Sequence, residues 1–67
     1  MIYVVTYFNG KNWIEFISFT VQEYAENFMN RMKNEYPDLN VTIKTKFPNR
    51  YELAFAFSVD IADKTTF

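Results

Sequence analysis

Hydrophobic and β-branched residues dominate the first 19 positions, in two runs separated by a short polar segment. Residues 2–8 and residues 12–19 are rich in Val, Ile, Tyr, Phe and Trp, and Asn9-Gly10 lies between them. Asn-Gly between two such runs is the strongest short-range signal for a β-hairpin. The pattern therefore predicts two antiparallel strands, at about 2–8 and 12–19.

The two faces of this hairpin follow from the side-chain period of two. A two-residue turn pairs Phe8 with Lys11 and a four-residue loop pairs Phe8 with Trp13, and both registers give the same faces. We expect one face to carry Tyr3, Val5, Tyr7, Ile14 and Phe16. We expect the other face to carry Ile2, Val4, Thr6, Lys11, Trp13, Glu15 and Ile17.

A helical period replaces the alternation after Phe19. Thr20 and Glu23 have the spacing of a capping box, in which Thr20 is the N-cap and Glu23 reaches back to it. Apolar residues then recur three and four positions apart along one stripe: Val21, Tyr24, Ala25, Phe28, Met29, Met32 and Tyr36. Pro37 disfavours helical geometry at the residue before it. The spacing predicts one amphipathic helix over about 21–35.

Alternation returns in the last third of the chain. Residues 39–47 are apolar at most odd positions and polar at even ones, and residues 51–59 alternate large apolar residues with Glu, Ala and Ser. Pro48-Asn49-Arg50 between them predicts a turn. The two runs therefore predict a third strand at about 39–47 and a fourth at about 51–59, each with one buried face. The tail, residues 60–67, has no clear period and is expected to be frayed.

The element order is therefore ββαββ in one domain, residues 1–67. A right-handed crossover after the helix brings the third strand to one edge. We predict an α+β fold with a four-stranded mixed sheet in the order 2-1-4-3 and one helix packed on one face. This order resembles the β-grasp fold of ubiquitin and of the immunoglobulin-binding domains of protein G, and the resemblance implies an architecture without a function. Half of a ferredoxin-like fold or a swapped dimer would show similar patterning.

One helix covers only one face of such a sheet, and Leu53, Phe55 and Phe57 are expected on the covered face. The open face then presents apolar side chains beside charged ones, which is typical of an interaction site, with Trp as a frequent anchor. The candidate partner-binding residues are Ile2, Val4, Trp13, Glu15, Ile17, Lys44 and Lys46. The alternative is that single surface hydrophobes are normal and that pairs such as Val4 and Ile17 are ordinary cross-strand neighbours.

Composition excludes several kinds of chemistry. The 67 residues include no Cys, no His and one Gly, which removes disulfides, thiolate and imidazole metal sites, Ser–His and Cys–His catalysis and Gly-rich phosphate loops. No catalytic, metal-binding or cofactor-binding residues are predicted. A domain of this size is marginally stable, and a homodimer would bury additional aromatic surface.

Charge and hydropathy restrict the partners further. Seven basic and eight acidic residues give a net charge of −1, which by itself indicates neither nucleic acid nor an anionic membrane. No apolar run approaches the ~18–20 residues of a membrane span. The first residues read as a strand rather than as a signal peptide, so the pattern predicts a cytoplasmic protein.

Three functional hypotheses follow. The first is a small non-enzymatic protein-binding module that uses its open sheet face or an edge strand to bind another protein or a second copy of itself. The second specifies a phage or mobile-element protein that inhibits a host DNA-processing or defence enzyme, because residues with A/T-rich codons make up about half of the chain, as in low-GC genomes. The third is a single-stranded nucleic-acid binder that uses Lys11, Lys44, Lys46 and Arg50.

Overall fold

A computed structural model describes the backbone of residues 1–66 and the side chains of residues 1–62. The elements are β1 (Ile2–Phe8), β2 (Trp13–Phe19), α1 (Gln22–Glu35), β3 (Val41–Lys46) and α2 (Arg50–Thr66). The three strands form one antiparallel sheet in the order β2-β1-β3. The fold is α+β, but the predicted four-stranded mixed sheet with one helix is wrong, and the resemblance to the β-grasp architecture ends with it.

The hairpin forms at the predicted position through a four-residue loop. Phe8 pairs with Trp13, and the Asn9 side-chain oxygen accepts hydrogen bonds from the backbone N–H groups of Lys11 and Asn12 at 2.9 and 2.8 Å. Gly10 has φ +100°, a conformation that side chains with a Cβ rarely adopt. The longer of the two possible loops is therefore stabilised by the Asn9 side chain.

A β-bulge in the hairpin changes the faces of β2. Val5 pairs with Ile17 and Thr6 pairs with Glu15, so Phe16 is an extra residue with no partner on β1. Inserting one residue moves the following positions to the opposite face. Ile17 therefore lies on the same side of the sheet as Val5, and the simple alternation placed it on the wrong face.

Helix α1 covers one face of the sheet and forms the larger core. Val5, Phe19, Ala25 and Val41 are buried together, and Tyr3, Tyr7, Ile17, Tyr24, Phe28, Met29, Met32, Leu39, Ile43 and Val59 pack around them. The predicted helical stripe supplies the α1 contribution to this cluster. The predicted capping box is wrong, because the N-cap is Val21 and no side chain caps the helix there.

Residues 50–66 form helix α2 where the alternation predicted a strand and a frayed tail; Phe67 lies outside the described residues. A capping box begins this helix: the Asn49 side-chain oxygen accepts from the Glu52 N–H at 2.8 Å, and the Glu52 carboxylate accepts from the Asn49 N–H at 3.2 Å. Two orphan donors of the first turn are thereby satisfied. Local capping therefore favours a helix although the hydrophobic period fits a strand.

Helix α2 runs across the second face of the sheet from one edge to the other. Its Glu52 contacts Lys46 at the end of β3, its Ala56 is buried against Ile2 and Val4, and its Asp60 binds Thr20 just after β2. The sheet is therefore covered on both faces, by α1 on one and by α2 across the N-terminal part of β1 on the other.

Candidate functional site

The face that the sequence predicted to be open is largely covered by α2. Ile2 and Val4, two of the candidate partner-binding residues, are fully buried in a cluster with Ala56. Ala56 is small enough for the α2 backbone to approach the sheet closely. Ile2 and Val4 therefore belong to the core in this fold and present no surface to a partner.

A third candidate, Ile17, lies on the opposite side of the sheet. The bulge at Phe16 turns it toward α1, where it packs against the larger core. Phe16 is itself half-exposed on that side, and its ring lies 5.9 Å from the rings of both Tyr7 and Phe28. The apolar group expected around Trp13 is thus divided between two buried clusters.

Trp13 remains accessible at the hairpin end of the sheet. It is 55% exposed, and its ring lies 5.4 Å from that of Phe8 at an angle of 50°. Phe8 and Trp13 face each other across the first residue pair of the hairpin. Phe8 and Trp13 therefore form an ordinary cross-strand pair. They make a separate aromatic patch at the end of the sheet away from the contact between α2 and Ile2.

The three charged candidates form one ion-pair network beside α2. The Glu15 carboxylate lies 3.4 Å from the ammonium groups of both Lys44 and Lys46, and Lys46 also pairs with Glu52 in the first turn of α2. Two positive and two negative side chains therefore meet on this surface. Lys44 and Lys46 therefore have carboxylate partners within the protein.

The Lys46–Glu52 contact keeps both groups charged. Hydrogen bonding to Glu52 raises the pKa of Lys46 above its usual 10.5, with Glu15 adding to the effect. Hydrogen bonding to Lys46, and then to the Asn49 N–H, lowers the pKa of Glu52 below its usual 4.5. Both side chains are about one-third exposed, and ion pairs in such positions contribute little to stability. The attachment of α2 therefore depends mainly on Ala56, Val59 and Asp60.

Asp60 attaches the second half of α2 to the segment between β2 and α1. It is buried, and both of its carboxylate oxygens accept the Thr20 N–H at 3.1 Å. The Thr20 hydroxyl donates to the same carboxylate. Buried carboxylates are tolerated when their oxygens are hydrogen-bonded in this way. Thr20, expected to cap α1, instead binds a residue 40 positions along the chain.

Most of the aromatic bulk of α2 points away from the protein. Tyr51, Phe55 and Phe57 are 82%, 63% and 53% exposed. Leu53 and Ile61 are also exposed. The prediction that Leu53, Phe55 and Phe57 lie in the core is therefore wrong. We call the exposed side of the helix the outward face, comprising Tyr51, Ala54, Phe55, Phe57, Ser58 and Ile61.

The polarity of α2 is reversed relative to an ordinary surface helix. Successive residues of a helix turn by about 100°, so Glu52, Ala56 and Asp60 form one row, and this row faces the sheet. A typical surface helix turns its large apolar residues inward and its polar residues outward. In α2, two carboxylates, the Ala56 methyl group and Val59 face inward while three rings are exposed to solvent, which makes the outward face the candidate interaction surface.

The sequence contained one signal that the segment carrying this surface is a helix. Asn49 and Glu52 have capping-box spacing, and Ala54 and Ala56 are strong helix formers. With residues 50–62 read as a helix, Ala54 and Ser58 fall opposite the row of Glu52, Ala56 and Asp60. Tyr51 and Phe55 then fall on one flank of the helix and Phe57 on the other. The alternation over 51–59 is equally compatible with a strand, which is why the signal was missed.

Groups suited to catalysis do not converge within the described residues. No cluster of three or more His, Cys, Asp or Glu side chains able to hold a metal occurs among them. A surface cavity of about 460 Å³ is lined by the consecutive residues 35–39, and it is separate from the outward face. No helix in the part of the chain described is both long and apolar enough to cross a membrane.

Comparison with known proteins finds no relative of the chain. No protein-family model, curated protein or solved structure matches the chain.

Proposed function

We propose that the protein is a small non-enzymatic protein-binding module whose binding surface is the outward face of α2. The observation that carries the proposal is the exposure of Tyr51, Phe55 and Phe57 on one helix. Large apolar patches on a soluble domain usually mark interaction sites, and aromatic side chains supply much of the binding energy in protein interfaces. The proposal moves the binding surface from the sheet to the helix that covers it.

The chemistry of the outward face favours protein over nucleic acid. Between Tyr51 and Ile61 the face carries aromatic, aliphatic and small side chains, while Glu52 and Asp60 point toward the sheet. Nucleic-acid surfaces combine aromatic rings with a basic groove that follows the phosphates. Lys44 and Lys46 are paired with carboxylates, and Arg50, next to Tyr51 at the start of α2, supplies a single positive charge rather than a basic groove. A partner with its own apolar helix or groove fits this face better.

The sheet edges offer a second route to a protein partner through strand addition. β2 and β3 are the edge strands, and backbone hydrogen bonding at an edge needs no sequence motif. The β3 edge carries Lys44 and Lys46, and lysines at an edge oppose pairing with another strand. We therefore assign the binding role to α2 rather than to an edge.

Site-specific photo-cross-linking tests the proposal. A photoreactive benzoylphenylalanine replaces Phe55 in one variant and Glu23, exposed on α1, in a control variant. Irradiation in the producing cells is expected to attach protein to position 55 because a bound partner lies against that ring. The masses of the adducts are read by mass spectrometry.

The control position separates binding from random collision. Position 23 is expected to give no adduct, or at most a small fraction of the yield at position 55. Equal yields at both positions, or no adduct at position 55, would show that the outward face is not a protein-binding surface.

A further inference from the structure

We infer that the occupant of the outward face is a second copy of this chain, with two α2 helices packed antiparallel about a two-fold axis. The inference rests on the proposed function and names its partner. A symmetric dimer uses the same patch on both subunits, so the patch has to complement itself. The charge, the shape and the area of the outward face each bear on whether it complements itself.

Charge on the outward face presents no obstacle to self-association. The side chains of Tyr51, Ala54, Phe55, Phe57, Ser58 and Ile61 are all uncharged at neutral pH. A patch that carried a net charge would repel its own copy, and desolvating it would cost free energy. The exposed Arg50 lies four positions before Ala54, at the first end of the outward face, and an antiparallel pair places the Arg50 side chains of the two copies at opposite ends. Glu52 and Asp60 are already paired with Lys46 and Thr20 on the far side of the helix.

The outward face also has a shape that matches itself. Residues four apart form rows along a helix, and here Ala54 and Ser58 form a low row directly opposite the one that faces the sheet. Tyr51 and Phe55 form a row of large side chains on one side of the low row, and Phe57 lies on the other side. The Ser58 hydroxyl donates to the Ala54 carbonyl at 3.1 Å, so this row needs no polar partner. The rings of one copy therefore fit over the low row of the other.

The exposed area is sufficient for a specific dimer. Aromatic side chains bury about 150–250 Å² each, and the rings of Tyr51, Phe55 and Phe57 retain more than half of their surface. With Ile61 the outward face offers on the order of 500 Å² per copy. Two copies would bury on the order of 1,000 Å², which is about the lower limit of specific interfaces. We therefore expect a dimer of moderate affinity.

The size of the chain gives the dimer a physical role. A domain of 67 residues buries only about 60% of the surface of its unfolded chain and is marginally stable by itself. Part of its aromatic bulk lies outside both buried clusters. Pairing two α2 helices would bury those rings and make stability rise with protein concentration.

Mass measurements on charge-introducing variants test the inference. Phe55→Glu places a carboxylate midway along the row of rings on one side of the outward face, and Tyr51→Glu places one at the start of that row; Trp13→Glu is the matched control at an exposed aromatic residue outside α2. Sedimentation equilibrium is expected to give twice the 8.1 kDa chain mass for the wild type and for Trp13→Glu. Phe55→Glu is expected to raise the dissociation constant by at least about thirtyfold, as loss of a central aromatic anchor does.

Folding of the variants is checked by far-UV circular dichroism, and Tyr51→Glu provides a second test if Phe55→Glu unfolds. A wild type that remains monomeric up to about 1 mM, the limit of weak association, would overturn the dimer. A dimer that survives both α2 substitutions would overturn it as well, because it would form through another surface. If the chain is monomeric but position 55 cross-links to a different protein, the dimer fails and the protein-binding function stands.

Discussion

Phe19→Ala is expected to lower the free energy of unfolding by about 3–5 kcal/mol, the range for removing a buried aromatic side chain. Phe19 is fully buried, its ring lies 5.8 Å from that of Phe28, and it belongs to the cluster of Val5, Ala25 and Val41. A domain of this length has a total stability of roughly 3–10 kcal/mol. The variant should therefore be partly or wholly unfolded at 25 °C, as measured by urea titration at a fixed protein concentration.

Phe47→Ala is the matched control for this prediction. Phe47 is 83% exposed, so the same chemical deletion should change the stability by no more than about 0.5 kcal/mol. Comparable losses in the two variants would mean that the larger core does not lie between α1 and the sheet around Phe19.

Asp60→Ala is expected to destabilise the fold by about 2–3 kcal/mol. The substitution removes the Asp60 carboxylate, and the N–H and hydroxyl of Thr20 then lose their hydrogen-bond acceptor. Asp60 is buried and accepts from both the N–H and the hydroxyl of Thr20. Urea unfolding measures the loss. Amide hydrogen exchange should show faster exchange through α2 than through α1, because the helix loses its attachment beside β2.

Two further variants make this prediction specific. Asp60→Asn keeps one acceptor oxygen and should lose about half as much as Asp60→Ala. Asp38→Ala removes an exposed aspartate and should stay within about 0.5 kcal/mol of the wild type. An Asp60→Ala variant as stable as Asp38→Ala would show that Asp60 does not anchor α2.

The first three strands and α1 follow from local sequence signals. The hairpin comes from Asn9-Gly10 between two β-favouring runs, and α1 comes from a stripe with helical spacing, so each needs only its own residues. The bulge at Phe16 does not follow, because a register shift depends on how Ile17 packs against α1 once the sheet has formed. One extra residue then sufficed to move Ile17 out of the predicted binding face.

Helix α2 was predicted as a strand because residues 51–59 alternate as well as any strand does. A period of two marks one face of a strand, but in a helix residues two apart point in nearly opposite directions. In α2 these apolar residues are therefore spread around the helix, with Tyr51, Phe55 and Phe57 exposed and Val59 packed against the larger core. The inward row of Glu52, Ala56 and Asp60 has no apolar signature, and it is defined by partners distant in sequence, Lys46 and Thr20. Both the fourth-strand error and the expectation that this sheet face is open have this single cause.

The same reversal explains why the candidate site moved. Ile2 and Val4 looked like surplus hydrophobes on an open face, yet they form the core beneath α2. The true surplus includes Phe55 and Phe57, which the strand interpretation placed in the core. Of the apolar residues in the predicted site, Trp13 remains exposed, as a separate pair with Phe8.

Nuclear Overhauser effects between methyl groups test the central claim, that α2 packs on the sheet through Ala56 and turns its rings outward. In the folded protein the Ala56 methyl group is expected to show strong effects to the side chains of Ile2 and Val4, with helical Cα shifts over residues 50–62. Extended Cα shifts over residues 51–59, with cross-strand effects from these residues to β1, would contradict it and restore the four-stranded sheet.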